Sequence, residues 1–268
     1  DAIAATAKEV GIPFGGHVTD TVGLFHALKA GQTTIDHLDN YVEALVPEDA
    51  APPEAPGLLG AEQLLSRIDE SRMPQVVEAT LEADASVVPT MVLWESGIYA
   101  TRPSAELLQE RTEVRYMPKE AVEGWVKAVD ERVGASDPEL LRRLADVRRR
   151  ILMALHEGGV RILLGTDSPQ IFSVPGFSIH REMQFYVDAG MSTYDVLASG
   201  TRVIGDYFGE NYGTIAVGEG ADLILVEGNP LQDIKNVSRI EGVMARGKYI
   251  SRDEIQNRLA AIAASYES

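Results

Sequence analysis

One local pattern recurs four times along this sequence: an amphipathic stretch, a short turn, then a brief apolar run. The copies read KEVGIPFGGH, LKAGQTTIDH, LEADASVVPT and HEGGVRILLGTD. They are not sequence repeats, but each is an α-turn-β unit. Such units place their strands parallel, joined by right-handed crossovers. Four in succession make half of an eight-stranded barrel or most of a doubly wound sheet, so the expected fold class is α/β.

The stretch from Ile12 to Leu38 carries the first two strands. Ile12-Pro13-Phe14 runs through Gly15-Gly16 to His17, and Thr33-Thr34-Ile35-Asp36 runs to His37. In parallel α/β folds the chemistry sits at the carboxyl ends of the strands. Two imidazoles delivered there read as a pair of metal ligands. A single histidine near a strand end is more often a hydrogen-bonded structural residue. The case therefore rests on a third residue, Asp167, which ends the much later run Val160–Asp167 in the same way.

Around these strands the expected elements follow in order. Residues 1–10 form a helix stopped by Gly11, and residues 21–30 form a second, with Val22, Phe25 and Leu28 on one face. PEDAAPPEAPG, residues 47–57, is a loop by composition. Residues 61–84 are helical with a break near Met73-Pro74, and 86–91 form the third strand. Residues 94–133 carry Trp, Tyr and charge, with breaks at Pro103 and Pro118. They read as a helical insertion, equally a lid or an ordinary surface excursion. Asp137 caps a long helix through His156, with Pro138 at its first position. Its arginines 142, 143, 148, 149 and 150 read as a solvated face. Helices at 178–190 and 193–205 follow. A β-rich tail then begins at Thr214-Ile215, and a last helix runs from 252 to 265.

Composition removes several classes of function. A formal net charge of −17 is wrong for binding nucleic acid or an anionic membrane surface. The absence of cysteine excludes disulfides, thiolate metal sites and a cysteine nucleophile. No apolar run approaches the roughly 20 residues of a membrane span, and no signal-peptide pattern is visible. The chain opens at Asp1 directly on a helix. That reads as the C-terminal part of a longer protein and leaves localisation open.

Two imidazoles and a carboxylate, His17, His37 and Asp167, are donors that suit zinc or a similar divalent ion. Three ligands leave open positions for water, whose pKa such an ion lowers to about 7. A carboxylate there can carry a proton to a leaving nitrogen. The reaction class is metal-assisted hydrolysis. Tyr41, just after His37, and His180, after the last barrel-type strand, are weaker candidates for meeting substrate. His26 and His156 read as structural.

These residues resemble the amidohydrolase superfamily. In that family the fifth and sixth barrel strands each end in a metal-binding histidine, matched here by GGHV (His17) and TIDHL (His37). The eighth ends in an aspartate that binds metal and shuttles a proton, matched by LLGTDSP (Asp167). GTIAVGEGADLILVEGNPLQDI and VMARGKYI look like its small β-sandwich. FSIHREMQFYVDAGMSTYDVLASGT is similar to the imidazolonepropionase-like branch, which includes Xaa-Pro dipeptidases. The resemblance implies the second half of a TIM (β/α)8 barrel, strands five to eight, over residues 1–212. Residues 213–250 would be part of the β-sandwich and 251–268 a C-terminal helix. It implies one or two divalent metal ions and a hydrolase of a carbon–nitrogen bond in an amide, cyclic amide or peptide, with Asp167 catalytic. The substrate would be a small molecule or peptide, and a homo-oligomer stays open. The family's first-strand His-x-His and its bridging lysine or glutamate have no match here, and Lys8 lies inside a helix. The alternative is a non-catalytic relative that keeps the barrel as a binding or assembly module.

Overall fold

The computed structural model describes residues 1–51, 53–55 and 57–267. Pro52 and Pro56, within the loop expected at 47–57, lie outside the described residues, as does Ser268. In chain order the first elements are α1 (Ala2–Val10), β1 (Gly15–Gly16), α2 (Leu24–Lys29) and β2 (Thr34–Asp36). Then come α3 (Ala61–Arg67), α4 (Met73–Glu82), β3 (Ser86–Val88), α5 (Met91–Leu93), α6 (Ser104–Glu110) and α7 (Lys119–Ala135). After them run α8 (Pro138–Glu157), β4 (Arg161–Ile162), α9 (Ser178–Ala189), α10 (Thr193–Ser199) and α11 (Arg202–Phe208). The tail holds β5 (Leu223–Val226), β6 (Ile240–Ala245), β7 (Lys248–Ser251) and α12 (Arg252–Glu267). Among the described residues no helix is long and apolar enough to cross a membrane.

The chain packs as two compact units, residues 1–90 with 137–163, and 91–136 with 164–268. These are divisions by packing, distinct from the sequence domains expected at 1–212, 213–250 and 251–268. The first unit is the α/β body. Its strands pair in parallel in the order β1-β2-β3-β4, with Gly15 opposite Thr34, Ile35 opposite Val87, and Val87 opposite Ile162. Ile35 and Val87 are fully buried at its centre. The approach of β1 to β2 requires glycine: a Cβ on Gly15 would sit 1.8 Å from Thr34 Oγ1.

Helix α8 shows why its sequence folds as it does. Leu141, Leu144, Ile151, Leu152 and Leu155 recur at three- and four-residue spacing and are buried on one face. The Asp137 carboxylate accepts from the Glu139 N–H at 2.9 Å, and Pro138 occupies the first turn, where its missing donor costs nothing. Asp137→Ala should cost about 0.5–2 kcal/mol of stability in urea unfolding. A change under a few tenths would show that the cap is idle.

The second unit contains a small core of Ala100, Leu107, Val129 and Phe172, with the Trp125 ring 5.8 Å from that of Phe172. Pro103 and Pro118 precede α6 and α7 and start helices rather than bend them. Glu182 on α9 is buried and accepts from the N–H groups of Met91 (2.8 Å) and Val92 (2.6 Å), closing the start of α5. Strands β5-β6-β7 form an antiparallel meander.

Several expected elements change. The helix expected from Thr21 begins at Leu24: Val22 and Gly23 turn back onto the Thr19 carbonyl, and Val22 is exposed. Its buried face is Leu24, Ala27 and Leu28. The third strand ends at Val88 because Pro89 has no N–H to pair and Thr90 turns left-handed at φ 47. The fourth strand pairs only over Arg161–Ile162, with the Leu163 N–H still donating to Val87 O at 2.8 Å. The helix expected over 193–205 is two, split at Gly200, which lies against the Leu164 side chain. The tail from Thr214 to Asp222 is not strand, and Ile215 and Val217 are exposed. Arg148, expected on a solvated face, is buried.

Candidate metal centre

His17 directly follows β1 and His37 directly follows β2. Because the strands are parallel neighbours in register, the two rings emerge at the same end. Their centroids lie 4.5 Å apart with planes tilted by 34°. Each ring is held at Nδ1. His17 Nδ1 meets Asp39 Oδ2 at 2.7 Å, and the same oxygen accepts from the Val18 N–H at 3.2 Å. His37 Nδ1 meets Thr90 Oγ1, just beyond β3, at 2.7 Å. A carboxylate at Nδ1 assigns the proton of His17 to that nitrogen and puts the lone pair on Nε2.

The backbone of this turn is over-determined. His37, Leu38 and Asn40 have φ of 61, 53 and 60°, a region that costs L-residues of order 1–2 kcal/mol each. It is paid for by tethers. The His37 N–H donates to Val88 O at 2.7 Å, the Asn40 side-chain amide to Val18 O at 2.8 Å, and Arg148 Nη2 to His37 O. His37 is buried, whereas the His17 side chain is 71% exposed. One imidazole is thus fixed in the protein and its neighbour is open to solution.

The other candidates are placed differently. Asp167 belongs to the second unit. It too is left-handed, at φ 54, and its carboxylate accepts from Gln170 Nε2. Tyr41 is fully buried in the first unit, with its hydroxyl 2.8 Å from Thr80 Oγ1, and burial drives its pKa far above the ordinary value. It sits in the core of that unit. His180 lies on α9 and lines a cavity of the second unit, where burial and then the Arg181 charge lower its pKa. His26 pairs with Asp1 at 2.7 Å on the surface. Sequence reasoning overlooked Asp39 and Thr90 and set Arg148 on a solvated face. Asp39 carried a local signal, a carboxylate two residues after His37.

Among the described residues, no three His, Asp or Glu side chains are gathered as a metal-holding group. The His17–His37 pair nevertheless fits a divalent ion as a donor set. It offers two adjacent imidazoles whose Nδ1 atoms are engaged by oxygen, the usual outer-shell arrangement of metal-ligating histidine.

The sequence matches the model of the amidohydrolase family over residues 1–250. The chain belongs to that family, as the residues around His17, His37 and Asp167 suggested, and this gives it a TIM-barrel-like α/β fold. Among solved structures it is similar to bottromycin amidohydrolase, at 24% identity and a TM-score of 0.68, covering 99% of this chain and 56% of that one. It is also similar to a Xaa-Pro dipeptidase with methionine bound in its active site, at 19% identity and a TM-score of 0.56, covering 93% and 47%. A. niger ochratoxinase matches at 21% identity and a TM-score of 0.56, covering 93% and 44%. The chain thus spans about half the length of these proteins. No curated protein matched in a sequence comparison.

Proposed function

We propose that this chain contributes to the active site of a metal-dependent hydrolase that cleaves a carbon–nitrogen bond in an amide, cyclic amide or peptide. The observation that carries this reading is the His17–His37 pair at adjacent strand ends, each ring held at Nδ1. A non-catalytic module would leave that arrangement without a task. His17 and His37 would hold a divalent ion, zinc or a close equivalent, through Nε2. A divalent ion supplies Lewis acidity to a carbonyl and to water. Asp167 would be a further ligand and would carry the proton from water to the leaving nitrogen. Asp39 and Thr90 orient the rings. The amide and Xaa-Pro substrates of the similar proteins support a small amide or peptide as substrate.

In this reading β1–β4 are strands five to eight of the barrel, and β5–β7 are part of a β-sandwich. The parallel order and the half-length match support it. The family's His-x-His and bridging residue, absent from these 268 residues, would complete the site and decide between one ion and two. The 268 residues alone should then be inactive and hold metal weakly.

The test is metal content and hydrolysis of a dipeptide and amide panel by the full-length protein. Absence of both bound divalent metal and amide hydrolysis would sink the reading. Asp39→Asn should weaken metal affinity roughly 10- to 100-fold in competition with a chelating dye. An unchanged affinity would remove Asp39 from its orienting role.

A further inference from the structure

The second unit holds a cavity of about 540 Å³ with a charge imbalance at its wall. Arg102 pairs with Glu110 through both oxygens, and Arg181 with Glu113 at 2.6 Å. Those pairs satisfy two cations. Arg111 and Lys235, which also line the cavity, make no ion pair among the described residues. Arg111 is 96% buried, being only 4% exposed. Its Nη1 donates to Phe172 O at 2.9 Å, while Nε is buried with no hydrogen-bond partner. A buried cation without an ion-pair partner is costly unless an anion meets it.

We propose that this cavity binds a small carboxylate with an apolar body, its charge met by the Arg111 guanidinium with Lys235 as second cation. A guanidinium is a better partner for a carboxylate than for a neutral hydroxyl, because the hydrogen bond is charge-assisted. Phe177, Phe185 and Leu107 supply apolar wall for the rest of the ligand, and Phe177 is stacked on Tyr116 at 5.2 Å, which holds it in place. Burial, and then the Arg181 charge, lower the Arg111 pKa to about 10, so it stays cationic at neutral pH and gains from an anion. The site uses residues of the second unit alone and does not rest on the hydrolase reading.

The experiment is titration of the full-length protein, followed by calorimetry and NMR, with three probes: 3-phenylpropionate, the neutral 3-phenylpropan-1-ol and inorganic phosphate. The carboxylate should bind, with the alcohol at least about tenfold weaker. Arg111→Met should weaken the carboxylate roughly 10- to 100-fold. Because Arg111 also anchors Phe172, the exposed Lys235→Met serves as the fold-neutral variant and should weaken it roughly 3- to 10-fold. The proposal is overturned if 3-phenylpropionate does not bind, if the alcohol or phosphate binds as well as it does, or if Lys235→Met binds it unchanged.

Discussion

Asp167→Asn in the full-length protein should fold normally, keep its metal and lose turnover by about 10²- to 10⁴-fold, the range for removing a general acid–base group. The substitution is unusually clean at this position. Asp167 sits at φ 54, a left-handed conformation that Asn tolerates as readily as Asp. The amide oxygen can still accept from Gln170 Nε2, so the local turn survives. What the amide cannot do is take a proton from water and pass it to nitrogen. Circular dichroism, metal content and the pH–rate profile separate loss of chemistry from loss of fold. Near-normal turnover by a folded, metal-loaded variant would exclude Asp167 as the proton carrier.

Stability should fall as pH rises from about 4.5 to 8, and Glu182 should account for much of the slope. Burial pushes its carboxyl from the ordinary 4.5 up to about 8, against the opposing pull of the Val92 and Met91 N–H groups and the Tyr186 hydroxyl. The Glu95 charge adds to the rise. Between those values the folded protein holds a proton that the unfolded chain has shed. The favourable contribution is therefore complete below pH 4.5 and is lost as pH climbs through the folded-state value. At roughly 1.4 kcal/mol per pKa unit the ceiling is about 5 kcal/mol, and a few kcal/mol is expected. Urea unfolding of the native protein and of Glu182→Gln at pH 5 and pH 8 isolates the term. The variant loses about 1–3 kcal/mol at pH 5, since its amide NH₂ faces a backbone donor, but should show the flatter profile. Equal pH slopes in the two proteins would assign the dependence elsewhere.

The α-turn-β pattern was legible because each unit is local: a helix face, a stop residue and a buried run sit within a few turns of one another. The same locality made the Asp137 cap readable. Strand ends were less so, since pairing is decided by neighbours distant in sequence. Phe14 looked like strand interior, yet the ladder is carried by Gly15–Gly16. Arg148 shows a signal present but outvoted. It lies seven and four residues after Leu141 and Leu144 and three and four before Ile151 and Leu152, on the buried face, while its four neighbouring arginines suggested solvent. The burial of Tyr41 was illegible for a different reason. Left-handed backbone at His37, Leu38 and Asn40, with no glycine to announce it, redirects the chain into the core. The contacts of His17 with Asp39 and of His37 with Thr90 join separate strand ends, and only the tertiary arrangement reveals them.

The hydrogen bond from Arg148 to the His37 carbonyl spans 111 residues of sequence, and this bears on synthesis. A ribosome adding about 5–20 residues per second releases His37 on the order of ten seconds before Arg148 can reach it. During that interval the imidazole-bearing turn lacks one of the tethers that holds its left-handed backbone. The growing chain therefore carries an unfinished histidine pair until α8 emerges and docks, so on the proposed hydrolase reading acquisition of metal should follow α8 rather than accompany the first two strands.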